Sequence, residues 1–305
     1  MKVLLLVNPH SGKGMSLKYS QRLEEKLIGL NHQVELRISE KEEDVKIWAS
    51  QAAGQGFDWV ICSGGDGTIN QTINGLMAHD HRPSFAFLPL GTVNDLGRAL
   101  KYPMRIESVL DGFDDLTQRQ IDVGYINGQY FATTCAVGNL AESVMNTSSE
   151  DKNKIGRLAY VRDGINAVIS ESGHRLEILD SRQHSQIIHT NLLVIGLTNS
   201  VGGFEQMNMD AQVDDGYLHL SAVKGVTMLD MTQALFEGKL FSLDSDKLFT
   251  LKDSEVTIRP VDEDVLTTNI DGDPGPQLPV TVRVIPKALN VLIPKTKDIF
   301  QALNS

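Results

Sequence analysis

The residues of this chain best suited to chemistry are Gly64, Gly65, Asp66, Gly67 and Thr68. They follow an apolar run at 58–63 and open a stretch in which Ile69, Ile73, Leu76 and Met77 recur at helical spacing. A strand that ends in a glycine loop at a helix N-terminus can bind phosphate, because backbone N–H groups and the helix dipole both face the ligand there. Glycines let the backbone come closer than any Cβ would permit. An aspartate inside the loop would repel bare phosphate, so its presence points to a divalent cation or a solvated hydroxyl in between, and hence to a metal-bound nucleotide. The plain alternative is an ordinary turn between strand and helix. Two commoner phosphate loops are excluded. Gly12-Lys13 is followed by Gly14 and has Val7 where a Walker loop needs glycine, and Gly65 and Gly67 are followed by Asn70 where the dinucleotide fingerprint needs glycine.

Four more segments carry polar chemistry. Asn8, Pro9, His10, Ser11, Gly12, Lys13 and Gly14 form a polar glycine-rich loop with one cation after an apolar run at 3–7. Leu90, Gly91, Thr92, Val93, Asn94 and Asp95 follow the apolar run at 84–88 in the same way. Gln212, Val213, Asp214, Asp215, Gly216 and Tyr217 place carboxylates before a strand-like segment, and Asn269, Ile270, Asp271, Gly272 and Asp273 do so near the C-terminus. The last run resembles part of an EF-hand loop but has Pro274 and Val280 where that loop needs glycine and glutamate. Either acidic turn could also be plain hairpin chemistry, since Asp-Gly favours tight turns.

Those residues need elements to hold them. Through residue 100, short apolar runs at 3–7, 58–63 and 84–88 and the alternating segment 33–38 are interleaved with helical spacing at 16–30, 41–53 and 69–77. That alternation predicts a parallel sheet covered by helices. Ligands of such sheets bind beyond the carboxyl ends of the strands, so the loops at 8–14, 39, 64–68 and 89–95 should converge. After about residue 120 helical spacing is confined to 155–170 and 226–237. Segments 174–180, 187–198, 217–223, 247–251, 254–260 and 280–285 alternate or are β-branched, which predicts an antiparallel β-sandwich. The expected domains are therefore 1–120 and 121–294, with the tail 295–305 long enough for a brief helix returning to the first.

Composition excludes several classes. A chain of 305 residues, 41% apolar, can bury one large core or two moderate ones, and two fit better. A net charge of -11 argues against nucleic-acid binding and requires any contact with an anionic membrane to use a local basic patch. No apolar run approaches the ~20 residues that span a bilayer, and the apolar start at Met1–Val7 is too short for a signal peptide, so a buried first strand is expected. Cys62 and Cys135 read as buried free thiols of a reducing cytoplasm. The eight histidines show no metal-ligand pairing. Lys13 and the run Lys152, Lys154, Arg157 and Arg162 are candidate phosphate or membrane contacts, although the run, unlike Lys13, reads more readily as a solvated helix face.

Taken together, the five segments resemble the diacylglycerol-kinase catalytic-domain superfamily, which includes sphingosine and ceramide kinases, with soluble bacterial lipid kinases the nearest members. The resemblance extends over essentially the whole chain. It implies an α/β nucleotide-binding domain and a β-sandwich lipid-substrate domain, with ATP and Mg2+ in the crevice between them. It places the nucleotide on Asn8 to Gly12, Ser39, Gly64 to Gln71 (with Thr68, Ile69 and Asn70), Gly91, Thr92 and Asn94. It assigns Asp66, Asp95 and Asp122 to a network around catalytic magnesium, and Asp215 with the carbonyls of Gln212 and Tyr217 to structural magnesium. Asp271 and Asp273 lie at the proposed base, with Asp273 where glutamate is common, which leaves open which carboxylate takes the proton. Lys13 resembles a family lysine near the substrate, and Arg162 is carried as a lipid or membrane contact. The implied activity is transfer of the ATP γ-phosphoryl group to a lipid hydroxyl, diacylglycerol first, with a sphingoid base, phosphatidylglycerol or a polyprenol as other acceptors. Phosphoryl transfer needs positioning and charge neutralisation more than covalent catalysis, and dispersed aspartates suit that need. The expected setting is cytoplasmic and peripheral to the inner face of the membrane, with no transmembrane segment and a homodimer left open. Two rivals stand beside it. NAD kinase shares Gly-Gly-Asp-Gly but usually has Asn-Glu where this chain has Asn70-Gln71, a weak discriminator because lipid kinases also favour glutamate there. The other rival is a non-catalytic nucleotide or lipid sensor.

Overall fold

The structure, a computed structural model, describes residues 1–41, 43–138, 173–200, 211–224 and 248–295. The expected helices at 155–170 and 226–237, the basic run with Arg162, and nearly all of the tail 295–305 lie outside these residues. The chain divides into two units, Met1–Ile121 with the chain from Lys287 onward, and Asp122–Pro286.

In the first unit, strands alternate with helices: β1 (Lys2–Val7), a 3₁₀ turn at Gly12–Gly14, α1 (Ser16–Gly29), β2 (Gln33–Ile38), α2 (Asp44–Gly54), β3 (Trp59–Gly64), α3 (Asp66–Leu76), β4 (Ser84–Pro89), α4 (Asp95–Ala99) and α5 (Ile106–Gly112). The strands run parallel in the order β4-β3-β1-β2. Val3 to Val7 and Phe85 to Leu88 are wholly buried, as strands covered on both faces must be. Helix α1 buries Ser16, Ser20, Leu23 and Leu27 at four- and three-residue spacing, while Ile28 and Leu30 of the sequence pattern are exposed. Small hydroxyl residues replace leucine at the start of α1 for a structural reason. The Ser16 hydroxyl lies 2.9 Å from that of Ser63 and 3.2 Å from the Ser63 carbonyl, pinning the helix start to the end of β3.

The second unit is antiparallel. From β5 (Leu116–Ile126), which carries the chain in from the first unit, follow β6 (Gln129–Phe131), β7 (Thr134–Gly138), β8 (His174–Leu179), β9 (Ser185–Gly196), β10 (Leu218–Lys224), β11 (Leu248–Asp253), β12 (Glu255–Pro260), β13 (Thr267–Ile270), β14 (Asp273–Gln277) and β15 (Val280–Pro294). Their order is β14-β13-β7-β9-β8-β12-β15, with β10 joining β9 to β11. One core of inward-facing residues, including Phe131, Leu193, Ile195, Leu220 and Val282, unites them. The last strand is longer than the alternating segment at 280–285 suggests. Beyond Pro286 it belongs to the first unit, where Val291 pairs parallel with Phe85 of β4.

Candidate active site

In the first unit the carboxyl ends of the strands are laced together. Asn8 N donates to the Ser63 carbonyl at 3.1 Å, Leu90 N to the Gly64 carbonyl at 2.9 Å, and Ser39 N to the Val7 carbonyl at 2.9 Å. The loops that follow are therefore neighbours, as the parallel-sheet reading requires. Asn8 works in both directions: its Oδ1 accepts the His10 N–H at 3.0 Å and its Nδ2 donates to Thr68 Oγ1 at 3.2 Å. Gly12, at φ 60°, turns the chain so closely past Leu90 that a Cβ there would lie 3.2 Å from the Leu90 Cβ. Lys13 is exposed in the same left-handed region, at φ 55°.

Two glycines make the closest approach. A Cβ on Gly65 would stand 3.1 Å from Gly91 Cα, and one on Gly91 would stand 2.9 Å from Gly65 Cα. Asp66 then closes the junction. Its Oδ2 accepts the Asn94 N–H at 2.9 Å and its Oδ1 the Asp95 N–H at 3.0 Å, so one carboxylate caps the first amides of α4. Asn94, at φ 54°, holds the far side of its loop by accepting the Gly91 N–H and donating to the Gly91 carbonyl, both at 2.9 Å. The Gly-Gly-Asp-Gly-Thr and Leu-Gly-Thr-Val-Asn-Asp segments are thus one hydrogen-bonded unit.

The remaining first-unit candidates differ in what they offer. Gly65, Gly67, Gly91, Ser11 and Pro9 are partly exposed and Thr92 is exposed, all in these loops, whereas Gly64, Thr68 and Asn94 are buried in their support. Ile69 is also buried, so only its backbone could meet a ligand. Asn70 accepts from Asn74 Nδ2 through both its carbonyl and its side chain, and Gln71 is half-buried one residue on along α3. Ser39 directs its hydroxyl to the Val7 carbonyl at 3.2 Å.

In the second unit the turn between β13 and β14 carries Asp271 and Asp273. Asp271, at φ 49°, is a heavily solicited carboxylate. Oδ1 accepts the N–H groups of Thr133 at 3.0 Å and Thr134 at 2.8 Å together with the Thr133 hydroxyl, and Oδ2 accepts the Ala132 N–H at 2.9 Å. Asp273 is exposed at the first residue of β14. Asp122 is buried; its Oδ2 accepts the Gly216 N–H at 2.6 Å and its own N–H donates to the Val213 carbonyl at 2.7 Å.

Asp215 lies in the same 212–217 turn. Its Oδ1 accepts the Tyr217 N–H at 3.0 Å, and its Oδ2 lies 2.8 Å from His219 Nε2 and 3.1 Å from Lys252 Nζ. Burial pushes the acidity of Asp215 in one direction and the His219 and Lys252 donors push it further in the other, leaving its carboxyl below the usual range. Gln212 contributes its carbonyl to Asp215 N at 3.4 Å, and Tyr217 is exposed. A carboxylate that already faces an ammonium group does not suit a divalent ion. Among the described residues no group of three or more His, Cys, Asp or Glu could hold a metal ion. Sequence reasoning did not single out Thr133, His219 or Lys252. Only strand pairing and chain reversal bring them to Asp271 and Asp215.

A parallel-sheet unit with a glycine-rich loop cluster at its carboxyl edge, followed in the chain by an antiparallel unit, is a fold shared with several solved structures. In a comparison of structures, yeast NADH kinase in complex with NADH matches at a TM-score of 0.54 with 11% identity over 100% of this chain and 86% of that one. A diacylglycerol kinase from Bacillus anthracis matches at 0.75 with 21% identity over 96% of each chain, and another B. anthracis structure at 0.82 with 24% identity over 96% and 95%. Residues 2–126 match the diacylglycerol kinase catalytic domain, and residues 135–293 the YegS C-terminal NAD kinase beta sandwich-like domain. The diacylglycerol kinase of Bacillus subtilis is 30% identical over 298 residues, 96% of this chain and 96% of that protein; that of Staphylococcus carnosus is 29% identical over 294 residues, 95% and 94%. The chain belongs to the diacylglycerol kinase catalytic-domain family, and so to the lipid kinases. No helix among the described residues is long and apolar enough to cross a membrane.

Proposed function

We propose that this protein transfers the γ-phosphoryl group of ATP to the hydroxyl of a membrane lipid, with diacylglycerol as acceptor and phosphatidic acid as product. The observation that carries the reading is the Asp66 carboxylate bridging the N–H groups of Asn94 and Asp95, which welds two phosphate-type loops into one surface. The partly exposed backbone of Gly12, Gly65 and Gly67, with the hydroxyls of Ser11 and Thr92, offers donors to phosphate oxygens. ATP arrives with magnesium, which neutralises charge on the transferred group. Asp66 and Asp95 are the carboxylates that would face that ion, Asp66 with the lone pairs its two backbone N–H bonds leave open. The Lys13 ammonium, exposed on the first loop, is suited to an anionic phosphate or headgroup.

The acceptor chemistry falls to the turn after β13. A lipid hydroxyl needs a carboxylate that takes its proton late in the transfer. Asp271 already accepts four hydrogen bonds, so its role is to shape the turn against residues 132–134. Asp273, exposed two residues on, is the proton acceptor. The names of the B. subtilis and S. carnosus relatives support diacylglycerol as first choice. Labelled ATP offered with mixed micelles of diacylglycerol, a sphingoid base, phosphatidylglycerol or a polyprenol, and separately with NAD, tests the reading. Labelled phosphatidic acid is the expected product; labelled NADP or no transfer to any lipid would reject it.

A further inference from the structure

The resemblance assigns structural magnesium to Asp215 and the carbonyls of Gln212 and Tyr217, and that is the one assignment the observed donor set opposes. His219 and Lys252 are direct cross-strand partners in the β10–β11 pair. Two side chains able to carry positive charge, placed opposite each other, repel unless an anion lies between them. The Asp215 Oδ2 fills that place, 2.8 Å from His219 Nε2 and 3.1 Å from Lys252 Nζ. The His219 ring needs only a proton on Nε2, which its neutral form supplies, so the arrangement does not depend on its charge. The Lys252 ammonium also lies over the Tyr217 ring, 4.5 Å from its centroid, so the same turn holds it twice. Asp215 is 16% exposed and His219 10% exposed, which protects the pair from competing water. A magnesium ion at its usual distance of about 2.1 Å from that carboxylate would stand within a few ångströms of the ammonium group.

We propose that this corner is a metal-free clamp in which Lys252 and His219 replace the structural divalent ion. The clamp does for the turn what an ion would do. It neutralises Asp215, ties the turn to β11, and thereby fixes Gly216, whose N–H is donated to buried Asp122 at 2.6 Å. The inference concerns folding of the 212–217 turn and stands whether or not the acceptor is diacylglycerol.

The test uses the nucleotide-free full chain, treated with EDTA and desalted, in thermal unfolding with and without millimolar magnesium chloride. The clamp predicts the same melting temperature in both, and no gain in wild type that Asp215→Ala removes. Lys252 is 48% exposed, so Lys252→Met is predicted to melt below wild type by about 1–4 °C in either buffer. His219→Gln, which keeps a side-chain donor, should lose less than His219→Leu. A magnesium-dependent rise in the wild-type melting temperature that Asp215→Ala abolishes would overturn the proposal, as would a Lys252→Met variant as stable as wild type. Should a variant fail to fold, elemental analysis of wild type equilibrated with magnesium chloride and desalted without EDTA decides: no bound magnesium is expected, and one equivalent per chain contradicts the clamp.

Discussion

Replacing Asp66 by asparagine separates two roles that a carboxylate in a phosphate loop can have. The wild-type side chain accepts two backbone N–H groups, from Asn94 at 2.9 Å and Asp95 at 3.0 Å. Asparagine keeps one acceptor and turns an amide donor toward the other N–H. One charge-assisted hydrogen bond is lost and a half-buried N–H is left without its acceptor, a combined cost of about 2–3 kcal/mol. The favourable interaction of a carboxylate with the first turn of α4 goes with it, though that helix is short and the term is small. At roughly 2–4 °C per kcal/mol, the melting temperature should fall by about 4–12 °C. Thermal unfolding without nucleotide or magnesium reads this directly, and hydrogen exchange at the Asn94 and Asp95 amides should quicken in parallel. An Asp66→Asn protein that loses phosphoryl transfer but melts and exchanges like wild type would refute the reasoning, because the carboxylate would then act on the ligand alone.

Three further outcomes are expected. Asp273→Asn should lower turnover by ~10²–10⁴-fold, whereas Asp271→Asn should also cost the greater part of thermal stability, since its carboxylate organises residues 132–134; a stability loss in Asp273→Asn as large as that in Asp271→Asn, read by thermal unfolding, would count against this division. Burial pushes the Cys62 thiol from 9.0 up to about 12, offset only partly by the Thr72 hydroxyl, and burial raises Cys135 as well. Native protein at pH 8 should therefore resist thiol-modifying reagents until unfolded. The unfolded chain releases the Cys62 proton first, so its contribution to stability is full below pH 9 and falls as pH rises toward 12, by on the order of 4 kcal/mol. Denaturant titrations of wild type and Cys62→Ala across that window should diverge accordingly.

The strands and loops of the first unit were readable because each buried strand is a short apolar run closed by a polar glycine turn, as at Val3 to Val7 before Asn8. The convergence of those turns follows from parallel pairing alone. What the same pattern could not show is how the loops spend their polar groups. Asp66 looks like a metal ligand in one dimension, yet its oxygens are satisfied by amides 28 and 29 residues away. Asp271 finds its donors 137 to 139 residues back. The pairing of His219 with Lys252 exists only through strand register. The reach of β15 was hidden for another reason: Pro286 and Lys287 interrupt the alternating pattern, although the backbone carries on through them as a single strand. Helix α1 shows the limit of periodicity, since exposed Ile28 and buried Ser16 and Ser20 reverse the hydrophobic expectation where hydroxyl hydrogen bonds dominate.

The most direct measurement is transfer of label from γ-labelled ATP in the presence of magnesium to lipids extracted from membranes, with the labelled product identified. Phosphatidic acid formed by wild type, and reduced together with turnover in Asp273→Asn, is the expected result. Tight ATP binding with no labelled lipid, or label appearing only on NAD, would contradict the account.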